Sequence, residues 1–335
     1  MRSLRLHGKA DLRLHEEDPP RPREGETLVR VTAVGLCGSD LHWFAEGQIG
    51  ETRLTRPLVL GHELAGVTPD GRRVAVDPAV PCQACDLCLE GHPNLCEETR
   101  FAGHGEDDGG LREWLAWPER CLVPLPASLS DADGAMLEPL GVALHAVDLA
   151  HLRPGSRVGV FGCGPIGLLA LQVARLAGAA RLFATDLAER PHRLEAARRL
   201  GAAVLAAEGG REAGAIRDAL GGAGLDAAIE AAGENAAVDA AVEAVRPGAR
   251  VVLAGIPAGE RTSFRAASAR RKGLSLVLSR RMKHAYPRAI RLAESGQVDL
   301  RSPVTHRFSL ERGPEAFAVA ARREGLKVLV QPVQP

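Results

Sequence analysis

Arg157-Val158-Gly159-Val160-Phe161-Gly162-Cys163-Gly164-Pro165-Ile166-Gly167 is the stretch on which the fold turns. Its first five residues form a short apolar run of strand length. The next six read G-x-G-x-x-G, and from Ile166 to Leu176 the apolar residues recur at helical spacing. A strand, a glycine turn and a helix in that order make a phosphate-cradling unit. Gly162 permits the tight turn, Gly164 lets the backbone approach a pyrophosphate, and Gly167 lets the helix lie close to the sheet. Pro165 is pre-set for the first helical turn, and the helix N-terminus then faces the phosphates.

Downstream the same texture repeats. Apolar runs at Arg181 to Thr185, Leu225 to Ala231, Arg250 to Gly255 and Leu274 to Leu278 alternate with helical patterns at Leu194 to Leu200 and Ala236 to Val245. Such alternation predicts parallel βαβ units and one doubly wound sheet of about six strands. The second strand ends at Asp186, 22 residues beyond Gly164, where a carboxylate would bind the adenosine ribose hydroxyls and repel a 2′-phosphate. NAD is therefore expected over NADP, although Arg190 and Arg193 stand nearby and either could pair with a phosphate.

Upstream of this unit the chain is rich in Pro, Gly and short β-type runs such as Leu28 to Val34 and Arg73 to Val76, the texture of an irregular, mainly β domain. The expected division is 1–140 for a metal-binding catalytic domain, 141–280 for the dinucleotide domain, and 281–335 for a return to the first. Pro303 and Pro314 are expected to break regular elements in that last segment. With 335 residues two domains are needed, and 42 Lys+Arg against 42 Asp+Glu leave no basic field for nucleic acid or an anionic membrane. No window reaches the roughly 18 uninterrupted apolar residues of a membrane span, and none near Met1 has signal-peptide character, so a soluble cytoplasmic protein is expected.

Seven cysteines in such a compartment point to metal rather than disulfides. Cys82, Cys85, Cys88 and Cys96 give C-x2-C-x2-C-x7-C, close enough for four thiolates to converge on one tetrahedral ion. Zinc is favoured over an iron-sulfur cluster because the final gap is seven residues and Glu97 follows Cys96. Four thiolates leave no open position, so that zinc would be structural. Cys37, His62, Glu63 and Glu138 are a second candidate set, though none is compelling by spacing alone.

Taken together, GLCGSDLHW (35–43), LVLGHELAG (58–66), the four-cysteine lobe, LEPLGVALHAV (137–147), FGCGPIGLLALQVARLAGA (161–179), the strand ending in Asp186 and PVTHRF (303–308) resemble the zinc-containing medium-chain dehydrogenases/reductases, and within them the sorbitol (polyol) dehydrogenases. The resemblance runs nearly end to end. It implies a GroES-like catalytic domain beside the Rossmann-type domain, and a catalytic zinc held by Cys37 and His62. Glu63 would be a ligand or stand behind one, with Glu138 close by directly or across a water. Alcohol dehydrogenases of the superfamily use a second Cys where this chain offers Glu138, which favours the polyol branch.

The same resemblance places Ile166, Asp186, Arg193 and the segment Ala254, Gly255, Ile256 along NAD. It places Arg281 near substrate and cofactor, and gives Ser39 and His42 a part in a proton relay. Met282 and Trp43 stand where tyrosines are common, so the exact substrate stays open. The implied reaction moves a hydride from a secondary alcohol of a polyol to NAD, with Zn2+ as the Lewis acid and the cleft between the domains as the site. Threonine, diols and aldoses are the alternative substrates on this fold. An inactive structural protein or a metal-stabilised binding module is the distant alternative. A homodimer or homotetramer is expected.

Overall fold

Strand Glu26–Gly35 is the axis of the first unit because its residues from Val29 onward are almost all small or β-branched and nearly all buried. It pairs antiparallel with Glu63–Val67, with Trp114–Pro118 and with Lys327–Gln331. Arg73–Val76 and Leu122–Pro124 extend the sheet on one side, and Val304–Ser309 extends it on the other. The core under this sheet is built from Leu4, Leu6, Leu58, Leu60, Trp43, Trp117 and Phe317, all essentially inaccessible. Burial at this density is what holds an otherwise irregular domain together, at roughly 25 cal/mol per Å² of apolar surface removed from water.

In this computed structural model residues 1–257, 259 and 261–333 are described. The chain divides into two units, Met1–Glu138 with the segment from Lys283 onward, and Pro139–Met282. Arg281, expected to open the returning segment, belongs to the second unit, since Ser279 still donates its N–H to Leu253 of the parallel sheet. Pro314 does not break an element. It lies in the first turn of helix Gly313–Ala321, where a missing N–H costs nothing, and that helix joins the parallel pair Val304–Ser309 and Lys327–Gln331.

The second unit is a six-stranded parallel sheet. Its strands are Arg157–Phe161, Arg181–Leu187, Ala203–Ala207, Leu225–Glu230, Val245–Leu253 and Ser275–Leu278, and numbered in that order they lie 3-2-1-4-5-6. This is the dinucleotide-binding order, with its reversal between strands 1 and 4. The third strand and its following helix, Arg211–Ala219, escape sequence reading because Ala203–Ala207 (AVLAA) has neither alternation nor a run of β-branched residues. Among the described residues no helix is long and apolar enough to cross a membrane.

Candidate functional site

In the first unit, Cys37 sits at the N-cap of helix Gly38–Glu46, directly after the axial strand. His62 follows Gly61, whose φ of +94° turns the chain into strand Glu63–Val67. Ligand atoms of Cys37, His62 and Glu63 all lie within 4.8 Å of one another. Asp40, wholly buried and unnamed by the sequence reading, ties the set together. Its Oδ2 accepts the Cys37 N–H at 2.9 Å, its Oδ1 accepts the Gly61 N–H at 3.1 Å, and Oδ1 stands 3.5 Å from His62 Nδ1. A carboxylate behind a histidine fixes its tautomer and ring orientation and leaves Nε2 for a metal. Burial disfavours the imidazolium, yet Asp40 and Cys37 outweigh it and hold the His62 pKa well above its ordinary value. Phe101 tilts against the His62 ring with centroids 5.3 Å apart.

Glu63 does not face the cluster alone. Lys327, from the last strand, places Nζ 2.7 and 2.6 Å from its two carboxylate oxygens and 3.0 Å from the Leu36 carbonyl, with both side chains almost fully buried. Gly35 lies between them in the sheet, opposite Glu63 on one side and Leu329 on the other. A methyl group there would collide with Glu63 Oε2, so the missing side chain is the passage through which Glu63 reaches Lys327. Glu138, in the first turn of helix Leu137–Ala150, is buried but lies outside the three-residue set. Burial pushes its carboxyl up to about 7, His62 opposing and Glu63 adding to the rise. Ser39 Oγ is 3.4 Å from His62 Nε2, and His42 Nδ1 is 3.0 Å from Glu46 on the same helix.

In the second lobe of the same unit the sulfurs of Cys82, Cys85, Cys88 and Cys96 also lie within 4.8 Å of one another, and all four cysteines are unbridged. A tetrahedral ion with bonds of about 2.3 Å needs sulfurs about 3.8 Å apart. Cys82 and Cys88 are 4.0 Å apart. Backbone N–H groups of Cys85 and Ala84 point at the Cys82 sulfur at 3.3 and 3.4 Å, and that of Cys82 at the Cys96 sulfur at 3.4 Å. The last of these brings the Cys96 thiol down to about 6, whereas desolvation and its neighbours push Cys88 up to about 12. Four thiols this close cannot all ionise without a cation, and the donor set fits zinc.

In the second unit the glycine turn has the geometry its pattern requires. Gly162 has φ +106°, and a Cβ there would stand 2.7 Å from the Ala232 nitrogen; a Cβ at Gly167 would collide with the Gly162 carbonyl. Asp186 Oδ2 accepts the Cys163 N–H at 2.8 Å and Oδ1 accepts the Leu187 N–H at 2.8 Å, so the carboxylate is clamped to the turn. Arg193 Nη1 approaches Asp186 at 3.9 Å and would lie 3.7 Å from a Cβ on Gly164. The structure thus brings Gly164, Asp186 and Arg193 together. Gly255 lies apart from these three, its N–H bonded to the Glu230 carbonyl at 3.0 Å at the end of the fourth strand, and Ile256 beside it is exposed.

Residues 23–127 match the alcohol dehydrogenase GroES-like domain, and residues 165–295 match the zinc-binding dehydrogenase domain. The sorbitol dehydrogenase of Bacillus subtilis (strain 168) is 33% identical over 345 residues, covering 99% of this chain and 97% of that one. The chain belongs to the zinc-containing medium-chain dehydrogenases/reductases. Within that superfamily this dehydrogenase is most similar to the polyol dehydrogenases, and it is an enzyme of the alcohol/polyol class. An alcohol dehydrogenase from Escherichia coli CFT073 complexed with NADH superposes with a TM-score of 0.89 at 28% identity, covering 99% of each chain. A protein from Sinorhizobium meliloti 1021 described as a zinc-binding dehydrogenase, bound to NADP, superposes at 0.88 with 29% identity and 99% of each chain covered. Zinc and a nicotinamide cofactor therefore go with this dehydrogenase.

Proposed function

We propose that this dehydrogenase uses NAD to oxidise a secondary hydroxyl of a polyol to a ketone, with one catalytic and one structural zinc per chain. The observation that carries the reading is the cluster of Cys37, His62 and Glu63, with Glu138 buried nearby in place of a second cysteine. When bound there, zinc would supply the Lewis acidity that makes an alcohol hydroxyl acidic, and NAD would take up the hydride.

The chain's own residues do the rest. Cys37 and His62 would hold the metal, with Asp40 locking the imidazole. Lys327 neutralises Glu63, so that the local charge stays low enough for an anionic oxygen to be stabilised beside it. The family resemblance gives Ser39 and His42, three residues apart on one helix, parts in a proton relay that would run through the cofactor ribose. With Nδ1 held by Glu46, His42 keeps Nε2 for that proton, and its partial exposure gives an exit to water.

Asp186 supports NAD over NADP. Each of its oxygens accepts one backbone N–H and keeps a lone pair for a ribose hydroxyl, while a 2′-phosphate would meet its charge. Arg193, 3.9 Å away, softens that repulsion. Initial rates of NADH formation with sorbitol, xylitol, ribitol, threonine, 2,3-butanediol, ethanol and glucose test the proposal, repeated with NADP and after chelation. A preferred polyol with NAD, abolished by chelator, is the expected result. Preference for threonine, the diol or glucose overturns the substrate class alone.

A further inference from the structure

Glu230 ends the fourth strand of the parallel sheet and is almost wholly buried, with no cation paired to it among the described residues. Its partners are backbone. Oε1 accepts the N–H groups of Ala232 at 2.7 Å and Gly233 at 2.6 Å, and the amides of Glu234 and Gly255 also face the carboxylate. Its carbonyl accepts the N–H groups of Ala254 at 2.8 Å and Gly255 at 3.0 Å. One residue thus clasps the loop after the fourth strand to the loop after the fifth.

The clasp is tight on every side. A Cβ on Gly255 would lie 2.7 Å from Glu230 Oε2, and one on Gly233 would collide with the Ile256 carbonyl. A Cβ on Gly162, the first glycine of the phosphate turn, would lie 2.7 Å from the Ala232 nitrogen and 2.9 Å from the Ala231 carbonyl carbon. Ala231 is also bonded through its N–H to the Phe161 carbonyl at 2.8 Å. All of these groups lie at the carboxyl ends of strands 1, 4 and 5, where a doubly wound sheet binds its dinucleotide.

We infer that Glu230 is a positioning residue of the cofactor site: by gathering the amides of Ala232, Gly233 and Gly255 it sets the surface over which the cofactor runs from the Gly162 turn to Ile256. The inference rests on the proposed nicotinamide site in this unit. A carboxylate suits the task because it offers about four lone-pair sites and no donor. An amide cannot replace it, since one acceptor would become an NH2 group aimed at backbone N–H donors, and the loop would have to open. Because that loop touches Gly162 through backbone, its displacement reaches the phosphate turn without Glu230 touching the cofactor.

The zinc-loaded enzyme and its Glu230→Gln variant are compared by NADH fluorescence titration, by KM for NAD and for substrate, and by zinc content. The expected result is a rise of about tenfold in the NADH Kd and in KM for NAD, with zinc content and substrate KM at saturating NAD unchanged. A purely structural residue would lower the unfolding temperature and leave both cofactor constants within twofold, which overturns the inference. If wild type binds no NADH, the cofactor reading falls and takes this one with it. Should the variant not fold, hydrogen exchange on wild type decides. The Ala232 and Gly233 amides must exchange as slowly as those of the neighbouring strands although they lie in a loop, and fast exchange overturns the proposal.

Discussion

At Gly35 the reason for a glycine lies directly across the sheet, at Glu63, rather than in the backbone. The room where its side chain would be is filled by the Glu63 carboxylate on its way to Lys327. Removing one member of a buried ion pair leaves an uncompensated charge and costs about 3–5 kcal/mol. Lys327→Met is therefore expected to lower the urea midpoint by that equivalent, and the double variant with Glu63→Gln to recover part of it; a loss under about 1 kcal/mol would show that the pair is dispensable. Asp40 acts one step behind the metal. Asp40→Asn should weaken zinc binding about 10- to 100-fold, measured by chelator competition, while the four-cysteine lobe keeps its ion. Neither Asp40 nor Lys327 could be assigned a role from sequence, because each acts through a contact with a residue remote in the chain, 21 and 264 positions for the Gly61 and Glu63 bonds.

Elements whose chemistry is local were legible in advance. The glycine turn, its helix and the strand before it are contiguous, so a six-residue pattern specifies their geometry, and the cysteine lobe is likewise closed within a short segment. Gly167→Ala tests the first. The added methyl would push helix Pro165–Leu176 off the turn, costing about 1–3 kcal/mol of stability by thermal unfolding and weakening NADH binding in fluorescence titration. Cys96→Ser tests the second: metal analysis should show one zinc equivalent lost per chain while the equivalent at Cys37 and His62 remains. Loss of both, or of neither, would contradict two separate sites. The strand Ala203–Ala207 was not legible, since an alanine-rich edge segment has no periodicity to distinguish strand from coil.

For the molecule as a whole, several partly buried carboxylates have pKa values held below their ordinary range. The Arg157 guanidinium, then Arg246, keep Asp226 well down; at Asp133 burial pulls upward, but Arg301 and Ser130 outweigh it. A carboxylate with a depressed folded-state pKa contributes stability above its unfolded value, 3.8 for Asp, and loses it as pH falls toward the folded value. Through these carboxylates the unfolding midpoint should thus drop steeply below about pH 4. Asp226→Asn should start lower at neutral pH and show a shallower acid limb; an unchanged limb would show that this carboxylate does not govern it. The sequence by itself determined the two-domain architecture, the doubly wound sheet, the closeness of the four cysteines and the family, because each is written in contiguous patterns or in an ordered set of them. Tertiary structure alone decided that Glu63 spends its charge on Lys327, that Asp40 orients His62, that Asp186 is clamped to the glycine turn and that Glu230 gathers two loops. These are hydrogen bonds made by side chains after the sheets have closed, and nothing in the spacing of residues along the chain records which partner each one meets.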